Sequence, residues 1–412
     1  MENPELTVYG AYWCPDCRRS KQFLGEHQIP YNWINIEEDP AAEQFVIAKN
    51  DGKRIIPTVL FADGSILVEP TNAELAAKLG LKTTAQNDYY DLVIIGGGPA
   101  GLTTALYTAR EGIDTLVIER AAFGGQAAAT EKLDNLPGFP EGIEGIGFAQ
   151  RLRAQAEKFG VELLQAQDVV GLRRQDNYNV VTTADGSEIC AAAVVIATGS
   201  KYRRLGAEGE SSYIGAGVHF CATCDGPFYR GKHVAVIGGG NSATEESLLL
   251  TKFADRVTMI VRGGEFTASQ IIQEAVLGDP RIDVLWNTEV DAFQGEKSHL
   301  NRLALRNNVS GETWEMPIDG TFVFIGLQPN TGFLAESGVR RNAWGFIVTG
   351  HDLLHDERPA GFEDRVPLPL ETAMPGVFAA GDVRSGSTKQ VASAAGEGAA
   401  VALLVREYLK TV

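Results

Sequence analysis

Four of the five cysteines form two Cys-x-x-Cys pairs, Cys14-Pro-Asp-Cys17 and Cys221-Ala-Thr-Cys224. Two thiols at this spacing close into a disulfide and reopen, which is two-electron dithiol chemistry. The other use of paired Cys-x-x-Cys knuckles is a zinc site. The pairs lie about two hundred residues apart in unrelated local contexts, so redox chemistry is expected and no metal. Cys14 precedes a helical pattern through Arg18–Glu26. A thiolate there meets the dipole and unpaired N–H groups of a helix start, with Arg18, Arg19 and Lys21 adding positive charge nearby and Asp16 opposing it. Cys17 is placed to close back on Cys14. Asp225 follows the second pair directly. Cys190 sits in apolar CAAAVVIATG and reads as a buried small side chain.

Two glycine-rich turns flank this chemistry. Gly96-x-Gly98-x-x-Gly101 follows an apolar strand and opens a helix, and Glu119 ends the next strand. The glycines allow a tight turn and close backbone approach, so a pyrophosphate meets the helix N-terminus and the carboxylate binds ribose hydroxyls. Gly238-x-Gly240-x-x-Ala243 repeats the pattern, but its second strand ends in Val261-Arg262. An Arg there pairs with a 2′-phosphate and favours NADPH, with NADH the alternative.

The elements that must position these residues are legible in outline. Residues 5–36 read as strand, helix, strand. Residues 56–70 read as a hairpin around Asp63-Gly64-Ser65, and Thr71-x-x-Glu74 as a capping box. That gives about eighty residues in βαβ…ββα order. Polar residues 81–89 read as a linker. Two mononucleotide-binding units follow, and 370–411 reads as strand, Gly-Asp turn and long helix. Residues 350–368, rich in charge and Pro, read as a surface insertion. The expected class is α/β: a thioredoxin-fold domain followed by two Rossmann-like three-layer domains.

The chain has 412 residues, 44% hydrophobic and 22% charged, an ordinary globular balance. The net charge of −17 argues against nucleic acid as a partner. No apolar run approaches the roughly 18 residues of a membrane span. No secretory signal is visible at MENPELTVYG, so a cytoplasmic protein is expected.

Residues 89–412 resemble the low-molecular-weight bacterial thioredoxin reductases. The resemblance rests on GGGPAG at 96–101, GGQ at 124–126, ATG at 197–199, CATCDG at 221–226, GGGNSA at 238–243, and AAGD with KQVASA at 379–394. Residues 1–82 resemble glutaredoxins, especially the mycoredoxin-like branch, through YWCPDC at 12–17, IPT at 56–58 and FADGS at 61–65. The resemblance implies a glutaredoxin-like domain at 1–82, a linker at 83–89, an FAD domain at 90–204 and 326–412, and a nicotinamide domain at 205–325. It implies FAD contacts at Gly96, Gly98, Pro99, Ala100, Gly101, Glu119, Gly125, Gln126, Asn135, Thr198, Gly199, Gly381, Asp382, Lys389, Gln390 and Val391. Nicotinamide contacts fall at Gly238, Gly240, Asn241, Ser242, Ala243 and Arg262. A cis peptide is implied before Pro57. Cys224 would face the flavin, Cys221 would be the interchange thiol, and Asp225 would handle the proton.

Electrons would then run from NADPH through FAD and Cys221/Cys224 to Cys14/Cys17, in the same chain or across a homodimer. The final acceptor would be a small thiol disulfide or a redox protein. Three departures stand out, one of them the insertion at 350–368, which has no counterpart in the plain reductases. The basic cluster usual for a 2′-phosphate is reduced to Arg262, with Thr267 at its last position. The glutathione-binding Gly-Gly-x-Asp stretch of glutaredoxins is replaced by Glu69-Pro70-Thr71-Asn72. A second reading is a peroxiredoxin-type reductase or NAD(P)H oxidase with a thioredoxin-like N-terminal domain. Those proteins carry a longer, two-lobed N-terminal part.

Overall fold

This computed structural model describes residues 6–130, 132–296, 299–355 and 358–412, without the side chains of Thr223 and Cys224. The chain divides into two compact units. One comprises Met1–Ala128, Phe148–Gly199 and Thr331–Val412; the other comprises Ala129–Gly147 and Ser200–Asn330. This partition differs from the expected boundaries: the N-terminal module shares a unit with the first mononucleotide-binding region, and Ala129–Gly147 leaves that region.

The N-terminal module runs β1 (Leu6–Gly10), α1 (Pro15–Glu26), β2 (Asn32–Asn35), α2 (Pro40–Lys49), β3 (Thr58–Phe61), β4 (Ile66–Val68) and α3 (Asn72–Lys78). Its sheet order is β2-β1-β3-β4, with β1 parallel to β2 and antiparallel to β3. Leu6 and Val8 alternate inward along β1, as a half-buried strand requires. On α1, Cys17, Ser20, Phe23 and Leu24 share the buried face at helical spacing. Phe23 and Leu24 pack with Val59, Phe61 and Leu75, whereas Ala42 and Val46 of α2 pack with Ile36 in a separate cluster. Each helix start is closed by its own residue: Cys14 on α1, Asp39 on α2, and the reciprocal Thr71–Glu74 capping box on α3.

The rest of the first unit is built on a seven-stranded sheet. Its central strand β5 (Tyr89–Ile95) runs parallel to β6 (Thr115–Ile118) and to Glu188–Ile196. These strands are apolar almost throughout because both faces are covered. Leu92 and Ile94 enter one core cluster; Val93 and Ile95 enter the other. The helix α4 (Pro99–Arg110) follows β5 and packs against the C-terminal helix Val391–Leu409. At that crossing a Cβ on Gly398 would collide with the Ala100 carbonyl oxygen, so only glycine permits the approach.

The second unit repeats the scheme on a five-stranded parallel sheet around His233–Ile237, with a three-stranded antiparallel sheet spanning Thr288–Pro317. Val234 and Val236 face one cluster, Ala235 and Ile237 the other.

Three expectations need correction. The residues expected to form the linker are held by hydrogen bonds and an ion pair. Glu162 takes the Lys82 ammonium at 2.8 Å, the Gln86 N–H at 2.9 Å and the Tyr90 hydroxyl at 2.7 Å. Burial alone would raise this carboxyl, but those three donors hold it below its ordinary value. The Gln165 N–H donates to the Lys82 carbonyl at 2.9 Å, and the Gln167 amide donates to Thr83 at 2.7 Å. Beside them, His27, the C-cap of α1, meets Gln165 at 3.2 Å, and the Ala122 N–H donates to the Glu26 carbonyl at 2.9 Å.

The 350–368 segment is anchored inward: Phe362 and Leu353 are buried, and Arg365 pairs with the fully buried Glu371. Its charged composition concealed these anchors. Cys190 is a free thiol and only half-buried.

Glu162→Ala would leave Lys82, Gln86 and Tyr90 without their shared acceptor, a local cost of about 1–2 kcal/mol. Limited tryptic cleavage after Lys82 is then expected to accelerate about tenfold. An unchanged cleavage rate would refute the clamp.

Candidate functional site

Around the first glycine turn, Gly96 has φ +108°, and a Cβ there would strike the Ala197 carbonyl next to Thr198. A Cβ on Gly101 would strike the Gly96 carbonyl. Gly98 is the N-cap of α4 and provides no side-chain cap, so the first-turn N–H groups have no side chain closing them. Pro99 fits the helix start, where its missing N–H costs nothing. Glu119 accepts from Gly97 N–H at 2.7 Å and Ala121 N–H at 2.9 Å. Burial raises its pKa, while those N–H groups pull it back. Gly125 opens the short helix Gly125–Ala128, which carries Gln126. A Cβ on Gly381 would lie 3.0 Å from Ala100 Cβ, which puts the Gly-Asp turn against the same helix start.

Glu397 holds that turn by accepting from the Gly381 N–H and pairing with Arg384. Burial raises the Asp382 carboxyl and lowers the Lys389 ammonium. Lys389 Nζ donates to the Asp382 carbonyl at 2.9 Å. Gln390 is the N-cap of the C-terminal helix that begins at Val391, again without a side-chain cap. The structure thus gathers Gly96, Ala100, Gly101, Glu119, Thr198 and Gly381 into one region. Asn135 lies in the other unit.

In the second unit, Gly238 has φ +138° and its Cβ would strike the Phe324 carbonyl. Gly240 is the uncapped start of Asn241–Leu250, which carries Asn241, Ser242 and the buried Ala243. Asn241 Oδ1 accepts the Ser269 N–H at 2.8 Å. Arg262 is exposed and forms no ion pair among the described residues. Thr267 instead folds back, its N–H donating to the Gly239 carbonyl at 2.8 Å. Glu246 Oε2, on the helix opened by Gly240, is buried without a hydrogen-bond partner. Such an orphaned acceptor fits a polar ligand.

Cys221 is in a disulfide. The Cys224 side chain lies outside the described residues. Sequence reasoning missed His219, two positions upstream. Its Nδ1 lies 3.5 Å from Asp225 Oδ2 and its Nε2 lies 2.6 Å from the Tyr229 hydroxyl. Burial, with Asp225 and Asp319 near, pushes the Tyr229 phenol well up, so it stays protonated. The only sequence signal was a histidine beside the Cys-x-x-Cys pair.

In the N-terminal module Cys14 and Cys17 are free thiols. Cys14 Sγ is the N-cap acceptor, taking the Cys17 N–H at 3.1 Å, and it lies 3.7 Å from the Ile56 carbonyl. The Ile56–Pro57 peptide is cis, as implied above. Asn50 and Thr58 brace this loop: the Asn50 amide donates to Thr58 Oγ1 at 2.9 Å, and Thr58 donates to the Ile55 carbonyl at 2.8 Å. Burial first, then the hydrogen bond with Cys14, pushes the Cys17 thiol up to about 12. Arg19 is committed to Asp16 and to the Pro70 carbonyl. Among the described residues no group of three or more His, Cys, Asp or Glu side chains could hold a metal.

Two glycine cradles and a disulfide in one chain define a dinucleotide-dependent disulfide oxidoreductase. Residues 90–398 match the pyridine nucleotide-disulphide oxidoreductase model and residues 6–66 the glutaredoxin model; the chain belongs to the pyridine nucleotide-disulphide oxidoreductase family and carries an N-terminal glutaredoxin domain. It is 40% identical to the thioredoxin reductase of Treponema pallidum over 78% of this chain and 98% of that one. It is 38% identical to that of Bacillus subtilis over 79% and 96%. The solved Streptococcus pyogenes thioredoxin reductase superposes with a TM-score of 0.71 at 35% identity, covering 79% of this chain and all of the other. The protein is therefore an NAD(P)H-dependent flavoprotein disulfide reductase, with FAD and a nicotinamide as the cofactors its family implies.

Burial and the hydrogen bond with Cys14 keep Cys17 as the thiol at pH 7. In the dithiothreitol-reduced protein, iodoacetamide at pH 7 is expected to label Cys14 and spare Cys17, with Cys17 labelling growing as pH approaches 12. Equal labelling of both by peptide mapping would contradict the assignment.

Proposed function

We propose that electrons pass from NADPH to the Cys221–Cys224 disulfide, from there to Cys14–Cys17, and finally to an external disulfide. The observation that carries this reading is a reductase chain whose N-terminal module holds one thiol as a helix cap and a second thiol one turn on, both buried. FAD, when bound, supplies two-electron transfer between the nicotinamide and the Cys221 disulfide.

Residues 90–204 and 326–412 form its binding region. The N–H groups at Gly98 receive the pyrophosphate, Glu119 receives ribose hydroxyls, and Asp382 and Gln390 line the start of the C-terminal helix. Residues 205–325 hold the nicotinamide cofactor through Gly238, Gly240, Asn241, Ser242 and Ala243. The exposed Arg262 supports NADPH over NADH. Asp225 donates and accepts the proton for exchange at Cys221, with His219 fixing its carboxylate. We place the enzyme in the cytoplasm as a homodimer.

In the external step, Cys14 thiolate attacks one sulfur of the acceptor disulfide and the first thiolate leaves. Cys17 then gives its proton to that leaving thiolate and attacks Cys14 Sγ. The second acceptor thiolate departs, taking up the proton Cys14 had lost. Cys14–Cys17 ends oxidised and the acceptor gains two electrons and two protons.

Anaerobic titration of the FAD-loaded, oxidised full chain with NADPH should consume about six electrons, two for FAD and two per disulfide. Cys14→Ser/Cys17→Ser should lower this to about four. Cys14→Ser alone should abolish reduction of an external disulfide while flavin bleaching by NADPH persists. Full turnover by Cys14→Ser would overturn the route through the glutaredoxin domain.

A further inference from the structure

A cleft beside Cys17 is lined by Ala11, Tyr12, Arg18, Lys21 and Trp33. It lies next to the dithiol, yet nothing in the external step above uses it. Its floor exists because position 10 is glycine: a Cβ there would come within 2.6 Å of the Trp33 ring and 2.7 Å of Cys17 Sγ. Its walls are aromatic, with Tyr12 59% exposed. Its charges are two cations. Arg18 and Lys21 stand three apart on α1, hence on one helix face. The Lys21 ammonium is held 4.2 Å over the Trp33 ring and 5.5 Å from the Tyr12 ring centre.

Neither Arg18 nor Lys21 has a carboxylate partner among the described residues. Three other cations of the module do: Arg19 pairs with Asp16, Arg54 with Glu37 and Glu43, and Lys78 with Asp63; Lys49 and Lys53 are unpaired too among the described residues, but neither lines the cleft. Two like charges on adjacent turns repel unless an anion joins them. The chain as a whole is at −17, so free carboxylates were not scarce.

The start of α3 is closed from within. The Glu74 carboxylate accepts the Thr71 N–H at 2.8 Å, while Thr71 Oγ1 accepts the Glu74 N–H at 3.2 Å. A substrate carboxylate arriving there would meet a carboxylate already in place.

We propose that the Tyr12–Arg18–Lys21–Trp33 cleft binds a carboxylate-bearing arm of the disulfide that Cys14 attacks, so that the preferred acceptors are small anionic disulfides. This rests on Cys14 being the outgoing thiol of the proposed function. The aromatic walls cover the methylene part of the arm and the two cations neutralise its end.

Two measurements test this. In the first, the full-length enzyme with NADPH is given dithiodipropionate, bis(2-hydroxyethyl) disulfide and cystamine, which are anionic, neutral and cationic. Wild type should favour dithiodipropionate over cystamine in kcat/KM by about tenfold at low salt, and Arg18→Gln/Lys21→Gln should lower that ratio by about three- to tenfold. Absence of any charge preference in wild type, or a ratio untouched by the double variant, overturns the cleft.

The second measurement needs no turnover. Cys14 of the dithiothreitol-reduced chain is alkylated by iodoacetate and by iodoacetamide. Thiolate content affects both rates equally, so their ratio reports the local field alone. The double variant should lower the iodoacetate-to-iodoacetamide ratio by about threefold or more, with the difference shrinking as salt rises. An unchanged ratio overturns the cleft. If all three disulfides fail to turn over in wild type, the electron route is wrong, and the alkylation ratio still decides the cleft.

Discussion

The first N–H groups of a helix have no partner within it, and where this chain sends them organises the molecule. In the glutaredoxin domain every helix start is closed by the chain itself. Asp39 closes one, Thr71 with Glu74 closes another, and on α1 the closing atom is the Cys14 sulfur. In that last case the cap and the reactive atom are the same, so local helix geometry positions the chemistry. At Gly98, Gly240 and Gln390 no side chain does the closing. At Gly98 and Gly240 a glycine turn serves two ends: it permits, at Gly96 and Gly238, a φ that other residues resist, and it withholds the oxygen that would occupy the N–H groups.

The two ends of α1 have separate duties. Its N-terminus carries Cys14. Its C-terminus, at Glu26 and His27, meets Ala122 and Gln165 of the FAD-domain sheet region. Twelve residues of α-helix span about 18 Å. Cys14 therefore stands about a helix length from the contacts that Glu26 and His27 make. Glu162 secures the arrangement by gathering Lys82, Gln86 and Tyr90 on one carboxylate. Burying that acceptor with three donors avoids the cost of an unpaired charge.

Both Cys-x-x-Cys pairs, both glycine turns and the capping box were legible because each is a local signal, complete within a few residues. Gly398 was not, since its need for glycine arises only where it meets Ala100. The clamp joins residues 72 to 138 positions apart, and no short window of polar residues 81–89 reveals that a half-buried glutamate awaits them. Phe362 is a lone aromatic in a charged stretch, so composition placed its segment outside while one ring anchors it inside. His219 carries no spacing signal at all; its role depends on Asp225 and Tyr229 turning back toward it through the short helices after Cys221.

The same distinction between local and tertiary signals bears on what the glutaredoxin domain selects. A helix start recognises an anion through fixed N–H directions, and discrimination follows shape. Once Glu74 occupies that start, recognition passes to an ammonium and a guanidinium on α1. Lys21 is a compact charge whose stem is held against Trp33, and Arg18 is an exposed planar fork. Such groups set attraction by charge and tolerate variation in the rest of the ligand, and their pull weakens with salt. The replacement of Gly-Gly-x-Asp by Glu69-Pro70-Thr71-Asn72 is thus more than the loss of one pocket. Glu74 closes the α3 start, while Arg18 and Lys21 stand without a carboxylate partner beside Cys17 among the described residues.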